Sequence, residues 1–131
     1  MKKPMLADFF VLHMEWLGLR SGLIPRERRS FARWVVRTHP EVATPYSAEP
    51  AAFRLTCAEI QRGGRTPAHV GIGDVALRRN AQALARVYLL RPTSERGTFR
   101  DFLNGVLERC RTPRALKRFL ERSSQSSDPS P

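Results

Sequence analysis

Acidic side chains are scarce in this chain: 12 Asp and Glu stand against 23 Lys and Arg among 131 residues, a formal net charge of +11. That shortage bears on function as well as on surface character. Metal-dependent phosphoryl transfer needs several convergent carboxylates, and few are present to supply them. Lysine is rarer still, with Lys2, Lys3 and Lys117 beside 20 arginines. Histidine occurs only as His13, His39 and His69, in no pair at metal-ligand spacing. His13 falls on an apolar stripe and reads as a core histidine, and His69 as structural. Cysteine occurs only as Cys57 and Cys110, which form no CxxC pair and fit a reducing, cytoplasmic setting in which buried Cys acts as a small apolar residue. HExxH, a Walker lysine, GxSxG and paired carboxylates on one helix face are all missing. No catalytic residue, metal or cofactor is therefore expected, and the reading is a protein that binds rather than an enzyme.

Uninterrupted apolar runs are lacking too. The opening MKKPMLADFFVLHMEWLGL has two lysines and an apolar stretch, as a signal peptide would. Asp8, His13 and Glu15 interrupt it, no small-x-small site follows, and it is too short to span a bilayer. No membrane association is expected.

What is abundant is arginine. A pI near 11.3 implies a positive field over part of the surface, and a polyanion is the first partner to consider. Arginine offers a planar fork that engages phosphate or carboxylate through two hydrogen bonds. A GC-rich genome would enrich arginine codons regardless of function, but it does not explain the net charge. With 41% hydrophobic residues, the length suits a single domain whose core needs neither metal nor disulfide. The patterning predicts an all-α fold: a compact bundle of five to six short helices with a Pro-rich loop, forming one basic domain over residues 1–122. The Ser/Pro segment SSQSSDPSP, residues 123–131, is expected to be a disordered tail.

In chain order, a first helix from Pro4 to Gly22 carries an apolar surface wider than one core face needs. Either it is enclosed by other helices or it meets a protein partner. Pro25 opens a second, with Phe31, Trp34, Val35 and Thr38 inward and Arg26, Arg29, Arg33 and Arg37 as a basic stripe outward. The loop THPEVATPYSAEP is expected to be an extended strap held down by Val42 and Tyr46. A third helix, from Ser47 or Pro50 to Gln61, turns Phe53, Thr56, Cys57 and Ile60 inward and stops at Gly63-Gly64.

The central stretch from Asp74 to Leu90 reads as one amphipathic helix, with Arg78, Arg79, Gln82 and Arg86 outward. Gly71-Ile-Gly73-Asp-Val-Ala76 matches the letters of a dinucleotide loop. It lacks the preceding strand, and Asp74 would repel a pyrophosphate. Thr98 and Asp101 resemble a capping box ahead of Phe99, Phe102, Leu103, Val106, Leu107 and Cys110 at i, i+3, i+4, i+7, i+8 and i+11. Thr112 then caps a last helix with Leu116, Phe119 and Leu120 inward and Arg114, Lys117, Arg118 and Arg122 outward.

Three basic stripes on three helices point to a nucleic-acid-binding protein that contacts phosphate backbone, in a larger complex or as a homo-oligomer. The candidate contacts are Arg26, Arg29, Arg33, Arg37, Arg78, Arg79, Arg86, Arg114, Lys117 and Arg118. Exposed Asn, Gln and aromatic residues are too few to favour base readout. The last helix pair lacks the usual turn glycine of a helix-turn-helix. The alternative is an adaptor or inhibitor whose basic surface docks an acidic protein.

Overall fold

The computed structural model describes residues 6–20, 29–63 and 74–126. These are helical, with no strand among them, and fall into two compact units, residues 1–67 and 68–131. No described helix is long and apolar enough to cross a membrane.

The first unit is organised around α1, Leu6–Leu19. Phe9, Phe10, Val11, Leu12, His13, Met14 and Trp16 are all buried, so the breadth of its apolar surface is used in the core instead of being left for a partner. α1 packs on α2, Phe31–Thr38, and on α4, Pro50–Arg62. His13 is 2% exposed and lies edge-on to Phe31 at 5.0 Å and beside Trp16 at 5.4 Å, which makes it a core residue as its spacing implied. Its neighbour Glu15 reaches His39 Nε2 at 3.3 Å, while His39 Nδ1 lies 3.3 Å from Glu41.

The second predicted helix is interrupted. Ser30 is extended (φ −119°, ψ 93°), and its hydroxyl accepts the Arg33 amide at 3.2 Å, so α2 begins at Phe31 instead of running unbroken from Pro25. A serine able to satisfy a first-turn amide competes locally with helix continuation. The expected extended strap is helical instead. Pro40 stands at the first position of α3, Pro40–Ala43, where its missing N–H is harmless, and Pro45 falls in the 3-10 turn Thr44–Tyr46. Val42 and Tyr46 are buried as anticipated, Tyr46 forming a three-ring cluster with Phe9 and Phe53. α4 buries Phe53, Cys57 and Ile60 and ends at Gly63, whose φ of 77° is the left-handed conformation expected of the stop.

In the second unit the central helix is also broken, into α5, Asp74–Arg79, and α6, Ala81–Leu90. Asn80 lies between them at φ −102°, ψ 15°, its side-chain amide donating to the Ala76 carbonyl at 2.8 Å. The Asn80 backbone N–H is shared between the Ala76 and Leu77 carbonyls, each at 3.2 Å, a tightened last turn at which α5 ends. α6 buries Ala81, Leu84, Ala85 and Tyr88 and packs against α9, Pro113–Ser126.

A short α7, Thr93–Arg96, leads to Gly97 and then α8, Phe99–Arg109. Tyr88 Oη donates to the Gly97 carbonyl at 2.7 Å and stacks edge-on with Phe99. Every apolar position predicted for α8 is buried, and Thr98 caps it by accepting the Asp101 amide at 3.1 Å. Thr112 caps α9 in the same way through Ala115, also at 3.1 Å. α9 continues past the expected end at Arg122 to Ser126, and residues 127–131 of the predicted tail lie outside the described residues.

Candidate nucleic-acid interface

The chain leaves α8 at its C-cap Cys110 and enters α9 at Pro113, so only Arg111 separates the cap of one helix from Thr112, the cap of the next. This short connection brings the last cation of α8 against the outer face of α9. A cavity of about 530 Å³ results, lined by Arg109, Cys110, Ala115, Arg118, Phe119, Arg122 and Ser123. A second hollow of about 430 Å³ is lined by Pro113, Arg114, Lys117, Arg118 and Glu121. Arg118 is the wall common to both. On α9, Arg114, Arg118 and Arg122 recur every fourth residue, roughly 6 Å apart along the axis, and all three are exposed.

Two observations characterise the electrostatics here. Burial pushes the Cys110 thiol above its ordinary range, while Arg122 and then Arg109 pull it the other way. The guanidinium groups of two different helices thus act at one sulfur. Among the described residues, moreover, none of Arg109, Arg114, Lys117, Arg118 and Arg122 is in an ion pair. Cations this close repel one another unless an anion sits between them, so the cluster stores an attraction for one. Cys110 is buried, so the cavity presents cations beside an apolar wall.

The remaining arginines divide into those presented to solvent and those used by the fold. Arg33, Arg37, Arg79 and Arg86 are exposed. The Ser30 cap separates exposed Arg29 from α2, so it does not continue the stripe of Arg33 and Arg37, and Arg26 lies outside the described residues. Arg78 is half-buried, with its Nε and one terminal nitrogen shut off from solvent. The break at Asn80 puts Arg79 on α5 and Gln82 and Arg86 on α6. Arg96 donates to the carbonyls of Leu89 and Arg91 at 3.0 and 3.1 Å and lies over the Tyr88 ring. Arg91 lies over Phe102 at 4.7 Å.

Of the ten predicted contacts, then, Arg114, Lys117 and Arg118 are brought together in one surface, and Arg33 and Arg37 in another. Arg109 was not anticipated. It stands on the last turn of a helix read for its core pattern, and the only signal for it was the brevity of the link to Thr112. Among the described residues no three His, Cys, Asp or Glu side chains converge as metal ligands would. Comparison with protein-family models, with curated proteins and with solved structures finds no match to this chain.

Proposed function

We propose that this protein binds the phosphate backbone of a nucleic acid, without catalysing a reaction, as a subunit of a larger nucleoprotein complex or as a dimer. The observation that carries this reading is the cluster of cations, none of them in an ion pair among the described residues, formed where α8 meets α9, with Arg118 shared by two adjoining hollows and Glu121 the one described carboxylate lining them. Phosphates seated in successive hollows would each find two or more guanidinium groups, and the half-buried Phe119 would lie against sugar. Such contacts fix a strand in place and carry no sequence code, in keeping with the scarcity of exposed base-reading side chains.

The test is fluorescence anisotropy of labelled single- and double-stranded DNA and RNA against the full chain at several salt concentrations. The expected result is a log affinity that falls linearly with log salt, and a loss of at least tenfold in Arg114→Glu with Arg118→Glu while circular dichroism stays unchanged. The control reverses the same number of exposed charges at Arg20 and Arg62. An equal loss there would assign binding to net charge and remove the role given to α9.

A further inference from the structure

The surface of the first unit contains a groove of a different kind. It is about 530 Å³ in volume and lies between α2 and α4, with a floor of Ala32, Val36, Ala43, Tyr46, Pro50 and Phe53. Val36 is 50% exposed on it, although α2 buries Phe31, Trp34 and Val35 normally on its other side. Arg33 and Arg54 stand at its rim, one on each helix, and neither is in an ion pair among the described residues. The volume falls within the ~300–1,000 Å³ usual for ligand pockets, enough for a few side chains of a partner and too little for a globular surface.

We infer that this groove docks an acidic amphipathic helix of a partner protein. The apolar floor requires an apolar anchor, because covering exposed Val36 and its neighbours is favourable at roughly 25 cal/mol per Å². The rim sets the sign of the flanks: Asp or Glu beside the anchors would meet Arg33 and Arg54, and lysine would be repelled. Walls supplied by α2 and α4 suit a helix laid between them, with anchors at i, i+3 or i+4, and i+7. A nucleic-acid strand fits poorly. The rings of Tyr46 and Phe53 are packed against Phe9 at 5.9 and 6.0 Å and give no open platform for stacking bases.

The experiment is selection of displayed random peptides of about 15 residues, long enough to hold a helix once docked, against the full chain. The expected winners carry large apolar residues at helical spacing with Asp or Glu between them. A labelled winner then binds wild type at least tenfold more tightly than Val36→Glu, or Arg33→Glu with Arg54→Glu, and more tightly than its own sequence-scrambled version. Val36→Ser is the milder second variant, and unchanged circular dichroism of both keeps a folding defect separate. Basic winners, or binding that survives both Val36 variants, would overturn the proposal. So would loss in Arg114→Glu with Arg118→Glu, which would mean that acidic peptides adhere to charge alone. Dimerisation of wild type abolished by Val36→Glu would reassign the groove to a second copy. The groove and α9 lie in different units, so failure here leaves the anisotropy result for nucleic acid standing, and the reverse holds too.

Discussion

Gly97 and Gly105 lie eight positions apart in the same unit and respond oppositely to the same substitution. Gly97 has φ 64° and ψ −157°, a region essentially closed to residues with a Cβ, although nothing stands within 4 Å of where that Cβ would go. Gly97→Ala is therefore expected to destabilise by about 1–3 kcal/mol through backbone strain alone. Gly105 is inside α8 with equally open space around it, so Gly105→Ala is expected to stabilise by about 0.5–1 kcal/mol. Urea unfolding of the two variants decides it, and equal signs would mean the turn at Gly97 is not held as described. Cys57 makes a second residue-scale prediction. Burial pushes its thiol from about 9 up to about 12, so the folded state keeps a proton that the unfolded state gives up. The stability this contributes is full below pH 9 and is lost as pH rises toward 12. Cys57→Ala is expected to flatten that alkaline decline in unfolding free energy relative to wild type, and parallel curves would refute it. Cys57 was legible as core from spacing alone. The backbone angle at Gly97 was not, because any turn of that composition admits several conformations.

At the scale of elements, the well-read helices are those whose caps and apolar period agree. For α8, Thr98, Asp101 and six apolar positions all predict the same helix, and each occupies the place expected. The misread elements are those in which one side chain overrules a continuous pattern: Ser30 interrupts the second predicted helix and Asn80 the central one. Neither residue alters apolar periodicity, so a reading based on periodicity passes over both. The Pro-rich segment was misjudged for the opposite reason, since Pro40 and Pro45 suit the first turn of a helix as well as they suit an extended strap. The caps are testable directly. Thr98→Ala and Thr112→Ala each remove the acceptor of a first-turn amide and are expected to cost about 1 kcal/mol, with Thr→Ser or Thr→Asp at either site nearly neutral. Chemical denaturation of the six variants measures this. A serine variant as damaged as the alanine one would show that the threonine methyl, and not the hydroxyl, holds the helix start.

For the whole molecule, net charge turns out to be a poor guide to place. Residues 1–67 hold 11 basic and 6 acidic side chains and residues 68–131 hold 12 and 6, so composition favours neither unit. What differs is the use made of each cation, and that depends on tertiary contacts that a sequence pattern does not encode. Arg96 and Arg118 show this most clearly, because removing either lowers the charge by the same amount. The guanidinium of Arg96 is engaged by the Leu89 and Arg91 carbonyls and the Tyr88 ring, whereas Arg118 lines two hollows with no ion pair among the described residues. On the proposed function, Arg118→Ala lowers the slope of log affinity against log salt by about 0.7 for a single strand or 0.9 for a duplex, one phosphate contact, and leaves the melting temperature in place. Arg96→Ala does the reverse, lowering the melting temperature by loss of the turn it braces and leaving the slope unchanged. Salt titrations of the two variants side by side separate contact from field. If both lose the same affinity at every salt concentration, the strand is responding to the protein's overall charge, and the cluster between α8 and α9 is not where it binds.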